Sequence, residues 1–211
     1  MNSEAIDPLK DELLKAMAQR GGSKRFPANS VLVHEDDQSD SIYIILEGRV
    51  KVYSTSAAGR EIVYNTQGPG EYFGEMTIDG GPRSASVMTL EPTTCIVVPG
   101  AQVREFLATN PDFALHLVRK LIALVRRSTS NVKRLALEDV YTRVATLLNE
   151  LAVEQGGERV VADKMTQQDI ADRVGASREM ISRIFKQLTQ GGYVATRQRQ
   201  IVLLKKLPAG W

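Results

Sequence analysis

Cysteine is almost missing from this chain: Cys95 is the only one among 211 residues. An intrachain disulfide framework is therefore excluded, which fits a reducing compartment. Cys95 lies in the apolar run Cys95-Ile96-Val97-Val98 and reads as a small buried hydrophobe. Histidine is nearly as scarce. His34 and His116 stand far apart, so no metal-ligand spacing can be assembled, and an iron–sulfur cluster would need several cysteines. No stretch approaches the roughly 20 apolar residues of a membrane-spanning helix. The opening Met1-Asn2-Ser3-Glu4 lacks the basic-then-apolar pattern of a secretory signal. The expectation is a cytoplasmic protein with no metal and no membrane partner. No internal repeat or low-complexity segment occurs.

What is present is ordinary in amount and uneven in placement. Hydrophobic residues make up 43% and charged residues 25%, as in a globular protein, and the length suits one large domain or two small ones. The net charge is +2, but residues 1–108 hold 10 basic and 15 acidic side chains, and residues 109–211 hold 17 and 10. Within residues 166–211 the counts are 8 and 3. A basic C-terminal third fits either a solvated basic face or a nucleic-acid partner.

Element signals follow the same division. Ile6 to Met17 reads as a short amphipathic helix, with Asp7 as cap, Pro8 in the first turn and Gly21-Gly22 as stop. From Lys24 to Pro99 short β-type runs take over: Val31–Val33, Ser41–Leu46, Arg49–Tyr53, Glu61–Tyr64, the stretch Ser86–Leu90 and Thr94–Val98. Gly48, Gly59, Gly68 and Gly70 punctuate them, a pattern that suggests a β-barrel or jelly roll. Ala101 to Ala108 reads as a short helix. Pro111 then opens a helix of about 27 residues. Ala114, Val118, Leu121, Val125, Val132 and Leu135 recur on it at heptad steps, with Ser128 at the remaining seam position. Such a seam suits a second copy of the chain; packing on the chain's own barrel is the competing use. Leu137-Glu138-Asp139 reads as a hinge, and Asp139 as the cap of a helix running to Gln155.

Between Tyr72-Phe73 and Ser86 lies a loop whose chemistry suits a cyclic phosphodiester on a ribose: Gly74-Glu75-Met76-Thr77-Ile78-Asp79-Gly80-Gly81-Pro82-Arg83-Ser84-Ala85. Arg83 offers a planar fork to the two free phosphate oxygens, and Ser84 adds a hydroxyl donor. Glu75 can accept from the one free ribose hydroxyl, and Gly74 permits close approach of backbone to ligand. Replacing Arg83 is expected to cost ligand affinity and leave the fold intact.

Further on, Thr166 and Asp169 form a capping-box pattern, Gly175 makes a turn, and Ser177 caps a second helix from Arg178 to Leu188. Ile181, Ile184, Phe185 and Leu188 share one arc of that helix, and Arg178, Glu179, Ser182 and Arg183 another. This is helix-turn-helix organisation with a polar outer face. Tyr193–Thr196 and Ile201–Leu204 then read as a hairpin, or wing, with Arg197 and Arg199 at its tip.

The Gly-Glu…Arg-Ser-Ala loop closely resembles the phosphate-binding cassette of the Crp/Fnr family of bacterial transcription regulators. The recognition-helix residues Arg178, Glu179 and Arg183 match that family one by one. The resemblance implies an α+β fold in three parts: a cyclic-nucleotide-binding β-roll (jelly roll) over 1–110, a dimerisation helix over 111–137, and a winged helix-turn-helix over 138–211. It implies ligand contacts from Gly74, Glu75, Met76, Arg83, Ser84 and Ala85. It adds adenine contacts from the adjacent hydroxyls Ser128 and Thr129, which stand here in swapped order. One cyclic-AMP-binding member carries an arginine where this chain has Leu124. For DNA it implies Thr166, Gln167, Ser177, Arg178, Glu179, Ser182, Arg183, Lys186, Arg197 and Arg199. The expected effector is cyclic AMP. The expected partners are double-stranded DNA with palindromic TGTGA-like sites, RNA polymerase and a second copy of the chain. Within the class, cyclic di-GMP or no ligand remains open. A cyclic-nucleotide-binding regulatory subunit of an enzyme is the alternative from another class, disfavoured by the DNA-reading helix. No catalytic constellation accompanies Glu75 and Arg83.

Overall fold

The computed structural model describes residues 12–162, 164–198 and 200–208. The elements run α1 (Glu12–Ala18), β1 (Gly22–Phe26), β2 (Val31–Val33), β3 (Ile42–Glu47), β4 (Val50–Thr55), β5 (Glu61–Gln67) and β6 (Tyr72–Phe73). A 3₁₀ turn (Glu75–Asp79) follows, then β7 (Ser86–Thr89), β8 (Thr93–Val98), α2 (Gly100–Thr109) and α3 (Pro111–Leu137). The remainder is α4 (Val140–Leu151), β9 (Ala152–Gln155), β10 (Glu158–Val161), α5 (Gln167–Val174), α6 (Arg178–Gln190), β11 (Val194–Arg197) and β12 (Gln200–Leu203). Mixed helix and sheet, with an N-terminal pair of β-sheets, a long helix and a C-terminal helix-turn-helix, is the expected α+β architecture. The proposed Asp7-Pro8 start of the first helix, like Arg199, lies outside the described residues.

The chain divides into two compact units. Residues up to Ala58 with Val63–Leu124 form one, and Gly59–Ile62 with Val125 onward form the other. In the first, two four-stranded sheets are ordered β1-β8-β3-β6 and β2-β7-β4-β5. Alternation explains their burial. Val33, Ile45, Val50, Phe73, Val87 and Cys95 form one buried cluster. Ile42, Ile44, Tyr72 and Val98 form another with Leu14 and Met17 of α1, Val103 and Phe106 of α2, and Phe113 and Leu117 of α3. Burial pushes the Cys95 thiol pKa up to about 12.

The second unit is built on helix ends that are closed by side chains. Asp139 accepts from Thr142 N–H at 2.7 Å, which holds its carboxyl below the usual range and starts α4. Arg143 donates to the carbonyls of Glu138 and Val174, satisfying acceptors at the ends of α3 and α5. Arg134 of α3 grips Glu150 of α4 with two donors. Tyr141, Val144 and Leu148 of α4 pack with Ile170, Val174, Ile181, Ile184, Phe185 and Leu188 of the helix pair and with strand residues such as Val161 and Ile201. The sheet beside them is ordered β11-β12-β10-β9.

One boundary departs from the sequence reading. Helix α4 ends at Leu151 rather than Gln155, because Ala152–Gln155 pairs antiparallel with Glu158–Val161 as a hairpin. Gly156 and Gly157 have φ of 62° and 82°, the two positive values a tight two-residue hairpin turn needs. Strand β1 is an addition: its polar sequence Gly-Ser-Lys-Arg-Phe carries little alternation, yet all five residues pair with β8.

Leu148 has no exposed surface. Leu148→Ala is expected to destabilise the C-terminal unit by about 2–5 kcal/mol. Chemical denaturation followed by probes in each unit checks this; an unchanged C-terminal transition would contradict the packing described.

Candidate functional site

The loop after β6 is shaped by Gly74. Its φ of 93° lies in the left-handed region, and a Cβ there would come within 2.6 Å of Arg83 Nη1 and 2.7 Å of the Ser41 carbonyl oxygen. The 3₁₀ turn follows directly, closed by Gly80 at φ 85°. The turn buries Glu75 and Thr77 and leaves Met76 exposed. Ser84 is exposed, and its hydroxyl lies 3.2 Å from Met76 Sδ; Ala85 is buried.

Arg83 is 3% exposed and its fork is engaged with the protein. Nε donates to Ser39 Oγ at 2.8 Å, Nη1 to Gly74 O at 3.1 Å and Thr77 Oγ1 at 3.4 Å, and Nη2 to Ser41 O at 2.7 Å. Burial lowers its pKa from the ordinary value, opposed by Tyr43, Asp40, Asp37 and Glu75. Its backbone joins the same web: Arg83 N–H donates to Asp37 O, and Arg83 O accepts from Asp36 N–H. The expectation that Arg83 can be replaced without touching the fold therefore needs correction. Arg83→Leu would take the Arg83 donor from the Ser41 carbonyl and leave the Gly74 carbonyl to Thr77 alone.

Glu75 and Arg83, predicted to work together, do belong to one loop around Gly74. Glu75 also has a partner that the sequence did not point to. Lys120 of α3 lies 3.2 Å from Glu75 Oε2 and donates to Tyr72 O. Only the contact itself identifies Lys120, because 45 residues of chain separate it from Glu75. Ser128 and Thr129 are exposed on the second half of α3, within the other unit. Thr129 Oγ1 donates to Val125 O, as hydroxyls on helices often do.

At the C-terminal site the helix starts are geometrically defined. Thr166 and Asp169 complete a capping box: Asp169 N–H donates to Thr166 Oγ1 at 3.1 Å, and Thr166 N–H to Asp169 Oδ2 at 2.7 Å. Gly175 turns the chain at φ 64°. Ser177 Oγ accepts from Met180 N–H at 3.2 Å and opens α6. Ile181, Ile184, Phe185 and Leu188 face the core, so Arg178, Glu179, Ser182, Arg183 and Lys186 all point to solvent. The Glu179 carboxyl is held below its usual range by its own backbone N–H, by the Ser177 hydroxyl, and by Arg178 and Arg183. Thr166 is exposed and Gln167 half-buried. On the wing, Arg197 Nη1 pairs with Glu158 Oε1 at 2.6 Å.

Residues 23–110 match the cyclic nucleotide-binding domain, and residues 142–208 the Crp-like helix-turn-helix domain. A CRP-like cAMP-activated global transcriptional regulator of Mycobacterium tuberculosis is 31% identical over 183 residues, spanning 84% of this chain and 82% of that protein. The chain belongs to the Crp/Fnr family. The cAMP-activated regulator CRP of Haemophilus influenzae is 31% identical over 189 residues, 85% of this chain and 82% of that protein. Among solved structures, the c-di-GMP-responsive regulator CLP of Xanthomonas campestris has the same fold, with a TM-score of 0.81 at 23% identity over 92% of this chain and 98% of that one. The protein is thus a ligand-responsive transcription regulator of the Crp type, with a cyclic-nucleotide-binding module and a DNA-binding helix-turn-helix. Its relatives are regulators rather than enzymes. Among the described residues no helix is long and apolar enough to cross a membrane, and no group of three or more His, Cys, Asp or Glu side chains is placed to hold a metal ion.

Gly74→Ala tests the cassette. The positive φ and the collision with Arg83 are expected to cost about 1–3 kcal/mol in the N-terminal unit. Thermal and denaturant unfolding read this directly, and a variant as stable as the parent would show that Gly74 is not tightly held.

Proposed function

We propose that this Crp/Fnr regulator responds to cyclic AMP and binds palindromic TGTGA-like DNA as a homodimer. The observation that carries the reading is the pairing of two sites in one chain. One is a cassette with Glu75 and Arg83 gathered around Gly74; the other is a helix, α6, whose polar arc is entirely exposed. The names of the cAMP-activated relatives support the choice of effector. In this reading residues 1–110 receive the nucleotide, 111–137 pair two chains, and 138–211 bind DNA. RNA polymerase is the partner through which regulation is exerted.

The cyclic phosphate competes with the Ser41 and Gly74 carbonyls for the Arg83 fork, while Ser84 contributes a hydroxyl from the exposed side of the loop. Glu75 accepts from the ribose hydroxyl. Met76 and Ala85 shape the loop, and Ser128 and Thr129 meet the base. The apolar residues exposed on α3 favour a pairing seam: Leu115, Val118, Ile122, Val125 and Val132 all lie open. Leu121, placed in the seam by sequence periodicity, packs instead against the chain's own core. With Leu115 and Ile122 in the stripe, the polar interruption seven residues after Ile122 is Thr129, beside Ser128.

On DNA, Arg178 and Arg183 each fit the O6 and N7 acceptors of guanine, and Glu179 accepts from a cytosine amino group. Thr166, Gln167, Ser177, Ser182 and Lys186 flank them. Arg197 and Arg199 serve the phosphate backbone from the wing, Arg197 after release from Glu158.

Calorimetric titration of the purified chain with cyclic AMP, cyclic GMP and cyclic di-GMP is expected to give binding to cyclic AMP. Binding to cyclic di-GMP alone would reassign the effector. Selection from random DNA is expected to return two inverted TGTGA-like half-sites about one helical turn apart. Glu179→Ala should relax choice at one base pair by about 1–3 kcal/mol. Sites without such a core would mean that α6 reads other bases.

A further inference from the structure

Lys120 is a charged side chain that the cassette motif does not include. It reaches from the first half of α3 into the loop. Its ammonium lies 3.2 Å from Glu75 Oε2, donates to Tyr72 O, and stands over the Tyr72 ring, 3.4 Å from the centroid. The two charged side chains are 18% and 7% exposed, so the pair is largely withdrawn from water. Tyr72 O also accepts from Gln67 Nε2 at 3.3 Å, and Gln67 Oε1 is buried without a hydrogen-bond partner. All these groups belong to the N-terminal unit.

A carboxylate this buried is held in place by the donor and countercharge packed against it. Arg83 does not supply that charge by contact, because its fork is bonded to Ser39, Gly74, Thr77 and Ser41. Lys120 does. Burial pushes the Lys120 pKa down, and Glu75 pulls it back up by charge and by hydrogen bond. The ammonium also fixes the direction of the carboxylate, whose remaining acceptor sites are open to a hydroxyl donor.

We propose that Lys120 is a positioning residue of the effector pocket, which through Glu75 selects nucleotides that keep a free ribose 2′-hydroxyl. This rests on the reading of the cassette as a cyclic-nucleotide pocket. It adds a residue of α3 to the determinants of specificity and ties the helix that leaves the β-roll to the atom that senses the ribose.

The test compares 3′,5′-cyclic AMP with its 2′-deoxy analogue by calorimetry on the full chain, in the parent protein, Lys120→Met, Lys120→Gln and Lys120→Arg. The parent is expected to prefer the ribose form. Lys120→Met should lose about tenfold or more for cyclic AMP, the size of a hydrogen bond to a charged group, and little for the deoxy analogue. Lys120→Arg should restore most of the preference. Should the methionine variant fail to fold, Lys120→Gln, which keeps a neutral donor, carries the same expectation of a reduced preference. A purely structural role would weaken both nucleotides equally and keep their ratio, and that result overturns the inference while leaving the pocket assignment standing. A parent that binds both equally also overturns it alone. A parent that binds neither removes the cyclic-AMP reading and the inference together.

Discussion

A guanidinium taken out of water must have its N–H groups satisfied by fixed oxygens, and Arg83 imposes that requirement on the effector unit. Its acceptors come from three places in the chain: the segment before β3 (Ser39 and Ser41), the turn glycine Gly74, and Thr77 of the 3₁₀ turn. Meeting all of them sets the loop's path. It explains why Gly74 can carry no side chain, since the space a Cβ would fill belongs to Arg83 and to the Ser41 carbonyl. The backbone bonds of Arg83 to Asp36 and Asp37 extend the constraint to the loop before β3. A phosphate that engages this arginine acts on a group already bonded to the scaffold, so ligand binding and local structure draw on the same donors.

Helix termini play the corresponding part in the DNA-binding unit. Arg143 closes carbonyls at the ends of two helices, and Asp139, Thr166 and Ser177 each open one. The result is an α6 whose inner arc is fixed by Ile181, Ile184, Phe185 and Leu188, leaving the outer arc to chemistry. Glu179 is oriented by the helix start and by Ser177.

Much of this was legible in the sequence, for physical reasons that differ by element. Capping residues act within three or four positions, so Asp139, Thr166, Asp169 and Ser177 announced their helices. The cassette was legible because its glycine, acid and arginine lie in one loop. Elements that depend on distant partners were not. Strand β1 has no alternation of its own and exists through pairing with β8. The segment Ala152–Gln155 continues a helical pattern and is turned into a strand by the Gly156-Gly157 reversal. Leu121 has the spacing of a seam residue, but the core beneath α3 claims it. Lys120 meets Glu75 because α3 packs on the sheets through Phe113 and Leu117, a contact between distant parts of the chain.

The buried thiol of Cys95 has a consequence for the regulator's range of inputs. Thiolate is the form that oxidants, electrophiles and disulfides attack, and a pKa near 12 leaves almost none of it at cellular pH. Cys95 is also the sole cysteine and has no exposed surface. Sulfenic acid formation, glutathionylation and intermolecular cross-linking therefore have no foothold in the folded chain.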